Sequence, residues 1–430
     1  MFISFRFVLL AIAGFIPMVF WPSWATVFAL VGILALILFV DIAFTVSPRN
    51  VSIVRSENKQ VRLAEPLEVW VELTNTTNRR MQGQIRDGWQ PQANDPQPLH
   101  RIDIAAGATQ RLTSVLTPAR RGTVRSRKLT VRCVSPLRLA GRQYTHDAHG
   151  DVTVVPPFHS RRQLPSRINQ LREIEGRSAV HTPGAGHEFD SLREYVRGDD
   201  VRTIDWRASA RSTDLIVRTY RPERDRRVVV VLDASRASAV RVGDETRFDA
   251  GIEAALFMSA LANAGGDRVD LVTLDQTIRS RSSSEDKGPL LYRISTALSK
   301  IFPRLLAADW SLLPPEIASI TQQRAFLVLV TPLDSAAIEE GLIPILPVLT
   351  QRHAVVIAAV ADPELEAMAQ QRETSDDAFI AASAEAQKLR NRKMVRLLNR
   401  YGADVVQAQP QDLPTAVGDT YLRLKAAGRL

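Results

Sequence analysis
Apolar residues change their spacing twice along this chain, and each change marks a boundary. Residues 7–21 and 25–44 are almost continuously apolar. The second run is long enough to cross the hydrocarbon of a bilayer, and Asp41 lies near its end, where a carboxylate reaches the interface. The first run is shorter and is extended by residues 1–5. Trp21 and Trp24 flank Pro22 and Ser23 where an aromatic belt would lie. The pattern predicts a transmembrane helical hairpin over 1–48 with a minimal external loop. A cleaved signal peptide is the rival reading of the first run, but no small-residue cleavage site precedes the second.

The period then becomes two. Alternation appears at 51–54, 67–73, 128–134 and 151–155, separated by turn signals at 75–78, 105–107 and Arg121-Gly122. Nothing here keeps a long helical period. Residues 49–157 therefore predict an all-β, antiparallel sandwich of the immunoglobulin-like sort. Residues 89–98 are polar and proline-bearing and predict an irregular loop. Pro156-Pro157 closes the domain.

Beyond 225 apolar strands alternate with helical periods. Strands are predicted at 228–232, 268–274, 325–330, 354–360 and 403–406. Helices are predicted at 248–264, 290–306, 336–349 (despite two prolines), 363–399 and 413–427. This order implies an α/β Rossmann-like domain over 225–430, with a parallel sheet covered on both faces. Residues 158–224 form a linker and a charged segment between the two domains.

The charged segment is residues 186–220, where Glu188, Asp190, Arg193, Glu194, Arg197, Asp199, Asp200, Arg202, Asp205, Arg207 and Arg211 crowd around Trp206 and two tyrosines. It is too mixed in sign for a core element and too aromatic for a disordered tail.

Bulk composition changes the picture little. The chain has 430 residues, 45% hydrophobic, enough for two or three cores. Its 55 basic and 46 acidic residues give +9, a modest excess that suits an anionic membrane surface as well as nucleic acid. No nucleic-acid-binding signature accompanies the charge, so nucleic acid is not an expected partner. Between Arg49 and Arg142 lie 17 basic and 7 acidic residues, read as a solvated sheet surface or a face for anionic headgroups. Arg6 precedes the first apolar run, and Arg49, Arg55, Lys59 and Arg62 follow the second, which places both ends in the cytoplasm. Cys133 is the only cysteine, so no internal disulfide can form. It reads as a small buried hydrophobe.

Candidate chemistry is sparse. Asp233 stands at the end of a predicted strand and Ser235 follows; oxygen ligands at such a turn suit a hard cation such as Mg2+. There is no Walker loop, dinucleotide fingerprint or Gly-x-Ser-x-Gly elbow. His353 reads as structural or surface. His181 and His187 are a weak metal signal without a third ligand.

The charged segment carries a resemblance. With Gly186, Glu188, Phe189, Leu192, Arg193, Tyr195, Gly198, Asp199, Asp200, Arg202, Ile204, Asp205, Trp206, Ala208, Ala210 and Arg211 at fixed spacing, the chain resembles the bacterial family DUF58, domain of unknown function fifty-eight. Arg121-Gly122, Ser135-Pro136 and the ending 421–425 extend the likeness over nearly all the chain. The family's members are often encoded beside MoxR-type AAA+ ATPases, which implies such an ATPase as partner, with other von Willebrand A membrane proteins and the lipid bilayer. The resemblance implies a bacterial inner (plasma) membrane location. It also implies that the α/β domain is von Willebrand factor A-like. That superfamily's metal motif, Asp-x-Ser-x-Ser, matches at Asp233 and Ser235 but meets Ala237 at the last serine. Its later aspartate falls on Pro332, with Asp334 as substitute. Thr273 and Thr277 are weak matches for its threonine.

Three readings of the charged segment follow. Alternating sign favours a mutually satisfied network joining the domains, with Trp206 as apolar anchor. Arginine, tyrosine and tryptophan suit a docking surface, here for the ATPase. Catalysis by Glu188, Asp199, Asp200 and Asp205 is disfavoured, because neighbouring arginines make poor general acids of them. The expected function is a non-enzymatic, membrane-anchored adaptor or scaffold working with the ATPase in protein assembly or remodelling. The alternative is a divalent-metal-dependent protein or peptide binding module.

Overall fold
The computed structural model describes residues 1–56, 59–179, 188–196, 201–221, 226–371 and 373–430. The chain folds as two compact units, 1–157 and 158–430.

The first unit begins with β1 (Phe2–Ile3), α1 (Phe5–Gly14), α2 (Ile16–Phe20) and α3 (Trp24–Ala43). Pro17 opens α2, where its missing N–H costs nothing. The Ser23 hydroxyl caps α3 by accepting the Thr26 amide at 3.2 Å. Among the described residues α3 is the one helix long and apolar enough to cross a membrane; 20 residues span ~30 Å. The shorter apolar stretch Phe5–Phe20 precedes it.

Strands follow at β2 (Val51–Arg55), β3 (Lys59–Arg62), β4 (Leu67–Asn75), β5 (Met81–Trp89), β6 (Leu99–Ile104), β7 (Thr109–Leu116), β8 (Gly122–Val134) and β9 (Ala140–Val155). One sheet runs β2-β4-β7. The other runs β1-β9-β8-β5-β6, with β3 parallel to β9. Val51, Val71 and Leu73 of the first sheet meet Met81, Ile85, Leu129 and Cys133 of the second in one buried cluster, so the two sheets form a sandwich. Burial pushes the Cys133 thiol up to about 12, as suits a packed hydrophobe. The alternating runs predicted four of these strands. β5 and β6 escaped because their outward residues are mixed and β5 contains glycines. At Gly83 a Cβ would lie 1.8 Å from the Arg132 carbonyl oxygen, so glycine there lets β8 approach.

Both ends of the apolar hairpin meet the turn between β8 and β9. β1 pairs with Ala140 and Gly141, and the Ser4 amide donates to the Leu139 carbonyl at 2.8 Å. From the end of α3, the buried Asp41 carboxylate accepts the Leu137 amide at 2.9 Å, the Leu139 amide at 3.2 Å and the Ser135 hydroxyl. Arg142 donates to the Ile42 carbonyl at 3.1 Å, satisfying one end of the helix. Asp41 is thus a pin between helix and sheet, a role its place near the interface did not reveal.

The second unit contains α4 (Leu164–Ala179), β10 (Glu188–Glu194), α5 (Trp206–Ser209), β11 (Ile216–Arg221), β12 (Arg227–Asp233), β13 (Arg241–Val242), β14 (Glu245–Thr246), α6 (Arg247–Ala264), β15 (Arg268–Leu274), β16 (Ile278–Ser283), α7 (Leu290–Ser299) and α8 (Leu313–Ile320). It continues with β17 (Ala325–Val330), α9 (Ser335–Ala337), α10 (Leu346–Thr350), β18 (Ala354–Val360), α11 (Pro363–Gln370), α12 (Ser375–Arg400), β19 (Ala403–Ala408) and α13 (Leu413–Ala426). The sheet order is β16-β15-β12-β17-β18-β19; β16 is antiparallel and the other five strands are parallel. α4, α6, α7 and α13 bury one face, and α8, α10 and α12 the other.

All five strands predicted here exist, but three helices differ. The 290–306 helix stops at Ser299, short of Pro303. The 336–349 helix breaks into α9, a π-turn over Ile338–Leu342, and α10, because Pro344 and Pro347 withhold amides. The 363–399 helix is two helices; Thr374 starts the second with a capping box to Asp377.

The 421–425 ending has a buried role. Lys425, 1% exposed, lies 2.8 Å from Glu175 of α4 and 3.2 Å from Asp267, and the Tyr421 hydroxyl donates to Asp267. Burial pushes the Asp267 carboxyl up, opposed by Lys425.

Two substitutions test these contacts. Lys425→Met removes the buried ammonium that lies against both Asp267 and Glu175 and lowers unfolding free energy by about 3–5 kcal/mol, measured by denaturant titration. Asp41→Ala removes the acceptor of the buried Leu139 amide and of the half-buried Leu137 amide, at about 1–3 kcal/mol for each group left unsatisfied. Limited proteolysis in detergent then cuts the β8–β9 turn faster than in the parent.

Candidate functional site
Strand order reverses between β12 and β17, and in open α/β sheets ligands collect outside the carboxyl ends of strands at that point. Asp233 ends β12 there. Its Oδ1 accepts the Ser235 amide at 2.8 Å, and its Oδ2 accepts the Thr331 hydroxyl, from the end of β17, at 2.7 Å. Asp233 and Ser235 are each 2% exposed. Residues 304–306 close over the turn: the Arg304 amide donates to the Ala234 carbonyl at 2.9 Å and the Arg236 amide to the Leu306 carbonyl at 2.8 Å. Burial pushes the Asp233 carboxyl up, hydrogen bonds from the Ser235 side chain and amide and from Thr331 oppose this, and Asp275 adds to it.

Asp275, also buried, is held by Arg279 at 2.6 Å and faces Arg304 at 3.7 Å. Burial works against its charge, but the Arg279 guanidinium and the Thr277 amide and hydroxyl prevail and hold it below the usual carboxylate range.

In this structure the residues of the metal motif are engaged in internal hydrogen bonds. Both Asp233 oxygens serve internal donors, Ala237 has no side-chain oxygen, and the exposed Asp334 accepts the Ala336 amide of its own loop at 3.2 Å. Among the described residues no three His, Cys, Asp or Glu side chains converge as a metal site. Of the threonines named from sequence, Thr277 serves Asp275 and Thr273 accepts from Ser280; Thr331, passed over, is the one that reaches Asp233. Only its position before Pro332 signalled it. His353 is structural, its Nδ1 accepting the Ala325 amide at 3.2 Å.

The charged segment forms its own two-stranded sheet, β10 with β11. Glu188 pairs through its backbone with Arg221. The Tyr195 amide donates to the Leu215 carbonyl at 2.7 Å, and Arg193 donates to the Glu194 carbonyl at 3.1 Å. Asp205 caps α5, accepting the Arg207 and Ala208 amides at 3.0 Å each, and pairs with Arg218 at 2.8 Å. The Ala208 amide, then Arg218, hold its carboxyl below the usual range. Trp206 is 68% exposed, which overturns its expected role as a buried anchor. It stands on the single turn α5, and Val201, Arg202 and Arg211 of the same segment are also exposed. Gly198, Asp199 and Asp200 lie outside the described residues, as do His181 and His187.

A two-sheet β unit and a doubly wound α/β unit define the class of the molecule. Residues 191–392 match the family model described as "Protein of unknown function DUF58". Uncharacterized proteins of Mycobacterium tuberculosis (strain H37Rv) and Mycobacterium bovis are each 28% identical over 118 residues, 26% of this chain. The chain spans 37% of the length of these relatives. Among solved structures, the SpRpn10 VWA domain aligns with 46% of this chain and 96% of its own at 16% identity, with a TM-score of 0.27. A CARDB domain from Pyrococcus furiosus, solved in complex with di-metal ions, aligns with 26% of this chain and 91% of its own at 16% identity and a TM-score of 0.19. At these scores the likenesses carry no weight, and the fold rests on the strand order.

Thr331→Val removes a hydrogen bond to a buried carboxylate and lowers stability by about 1.5–3 kcal/mol in thermal or denaturant unfolding. Millimolar MgCl2 leaves the parent midpoint unchanged. A rise in midpoint that disappears in Asp233→Ala would restore the metal site.

Proposed function
We propose that this protein is a membrane-anchored adaptor without enzymatic activity, whose signature segment docks a MoxR-type AAA+ ATPase during protein assembly or remodelling. The observation that carries the reading is the outward placement of Trp206 on α5, next to Arg207. Tryptophan and arginine are enriched among the residues that dominate protein–protein contacts. The apolar hairpin supports anchorage in the bacterial plasma membrane. The basic residues around it support a cytoplasmic body. The sandwich is read as immunoglobulin-like and the doubly wound unit as von Willebrand A-like.

The test is affinity capture of the tagged full chain from solubilised membranes, with the ATPase quantified by mass spectrometry. Trp206→Ala and Arg202→Ala reduce its recovery at least about tenfold, the loss typical of interface anchors, while thermal unfolding stays unchanged. Recovery of no ATPase, or equal recovery by both variants, overturns the reading.

A further inference from the structure
A second surface in the α/β unit has the build of a ligand site. A cleft of about 680 Å3 opens at the carboxyl ends of β17, β18 and β19. That volume is within the range of small-ligand and peptide pockets, and the place is where parallel sheets bind. Its walls come from the loop after β17, the ends of β18 and β19, and the adjoining parts of α6, α11 and α12. The charged segment contributes nothing to it among the described residues, so it is independent of the proposed ATPase surface.

Arg247 is its most informative residue. It opens α6, so its guanidinium adds to the partial positive charge of a helix N-terminus. Its Nε is buried and has no hydrogen-bond partner, and its Nη2 lies 3.9 Å from Asp362, too far for a hydrogen bond. Because the Nε is closed to solvent, it is through its Nη groups that Arg247 can meet an anion in the cleft. Lys388 differs: Glu366 at 2.9 Å and Glu385 at 3.2 Å already engage it. Arg392 lies on the same wall and is exposed.

The rest of the lining narrows the ligand. Asp334, Asp362 and Glu366 share the cleft, so a phosphate carrying nearly two charges meets repulsion. A single carboxylate can sit against Arg247 without approaching all three. Gln387 already donates to the Asn391 carbonyl at 3.1 Å and accepts from Arg390, so the Asn391 amino group and the Gln407 amide are the groups left to match peptide backbone. We infer that this cleft binds an extended peptide segment through one carboxylate held by Arg247, with Arg392 at the mouth. No metal takes part.

The experiment is saturation-transfer NMR on the full chain in detergent micelles. The probes are acetyl-Ala-Ser-Ala-Ala with a free C-terminal carboxylate, the same peptide amidated, and inorganic phosphate as competitor. The acid peptide receives saturation and the amide does not, and equimolar phosphate leaves the signal intact. Arg247→Gln weakens binding at least about tenfold, the loss expected for a charge-assisted hydrogen bond. Arg392→Gln, at an exposed position, weakens it less and guards against an Arg247 variant that fails to fold. Arg396→Gln, exposed on α12 but outside the cleft, binds as the parent does. Equal saturation of acid and amide, displacement by phosphate, or full binding by both folded cleft variants overturns the proposal.

Discussion
The second unit depends on the complete burial of β12 and β17. Val229, Val230, Val231, Leu327, Val328 and Leu329 are all fully buried, so both faces of these strands need a covering layer. That requirement places α6 on one side and α8, α10 and α12 on the other. It leaves polar chemistry one place to emerge, the strand ends. Asp233, Thr331 and the cleft beside Arg247 all lie at the carboxyl end, where backbone groups lose their ladder partners and side chains take over.

Neighbouring strand ends have different fates. The Asp233 turn is sealed by residues 304–306 and uses its carboxylate to tie β12 to β17. The β17–β19 end stays open and retains a donor without an acceptor at Arg247. The contrast follows from chain direction. After α7 the chain crosses the ends of β12 and β15, whereas the ends of β18 and β19 are bordered by α6, α11 and α12, which surround the cleft without filling it.

In the first unit a single carboxylate has a comparable influence. Asp41 satisfies the β8–β9 turn while β1 extends the same edge. Both ends of an apolar hairpin are thereby fixed to one sheet. An acid at the end of a hydrophobic run is legible in sequence; the amides that receive it, nearly a hundred residues away, are not.

Local pattern determined a great deal. The strands of the α/β unit were legible because continuous apolar runs bounded by polar turns have few other stable fates in water, and the alternating runs of the first unit named four of its strands. The signature residues pointed to DUF58, and residues 191–392 match it. Cys133 read correctly as a buried hydrophobe because its neighbours alternate. Tertiary structure alone decided where side chains of distant segments meet. It put Thr331 rather than Thr273 or Thr277 on Asp233, turned Trp206 outward, buried Lys425 between Asp267 and Glu175, and assembled the Arg247 cleft from six separate elements. Periodicity specifies which face of an element is apolar; which polar groups converge at its ends depends on crossover and loop geometry, which a one-dimensional pattern does not encode.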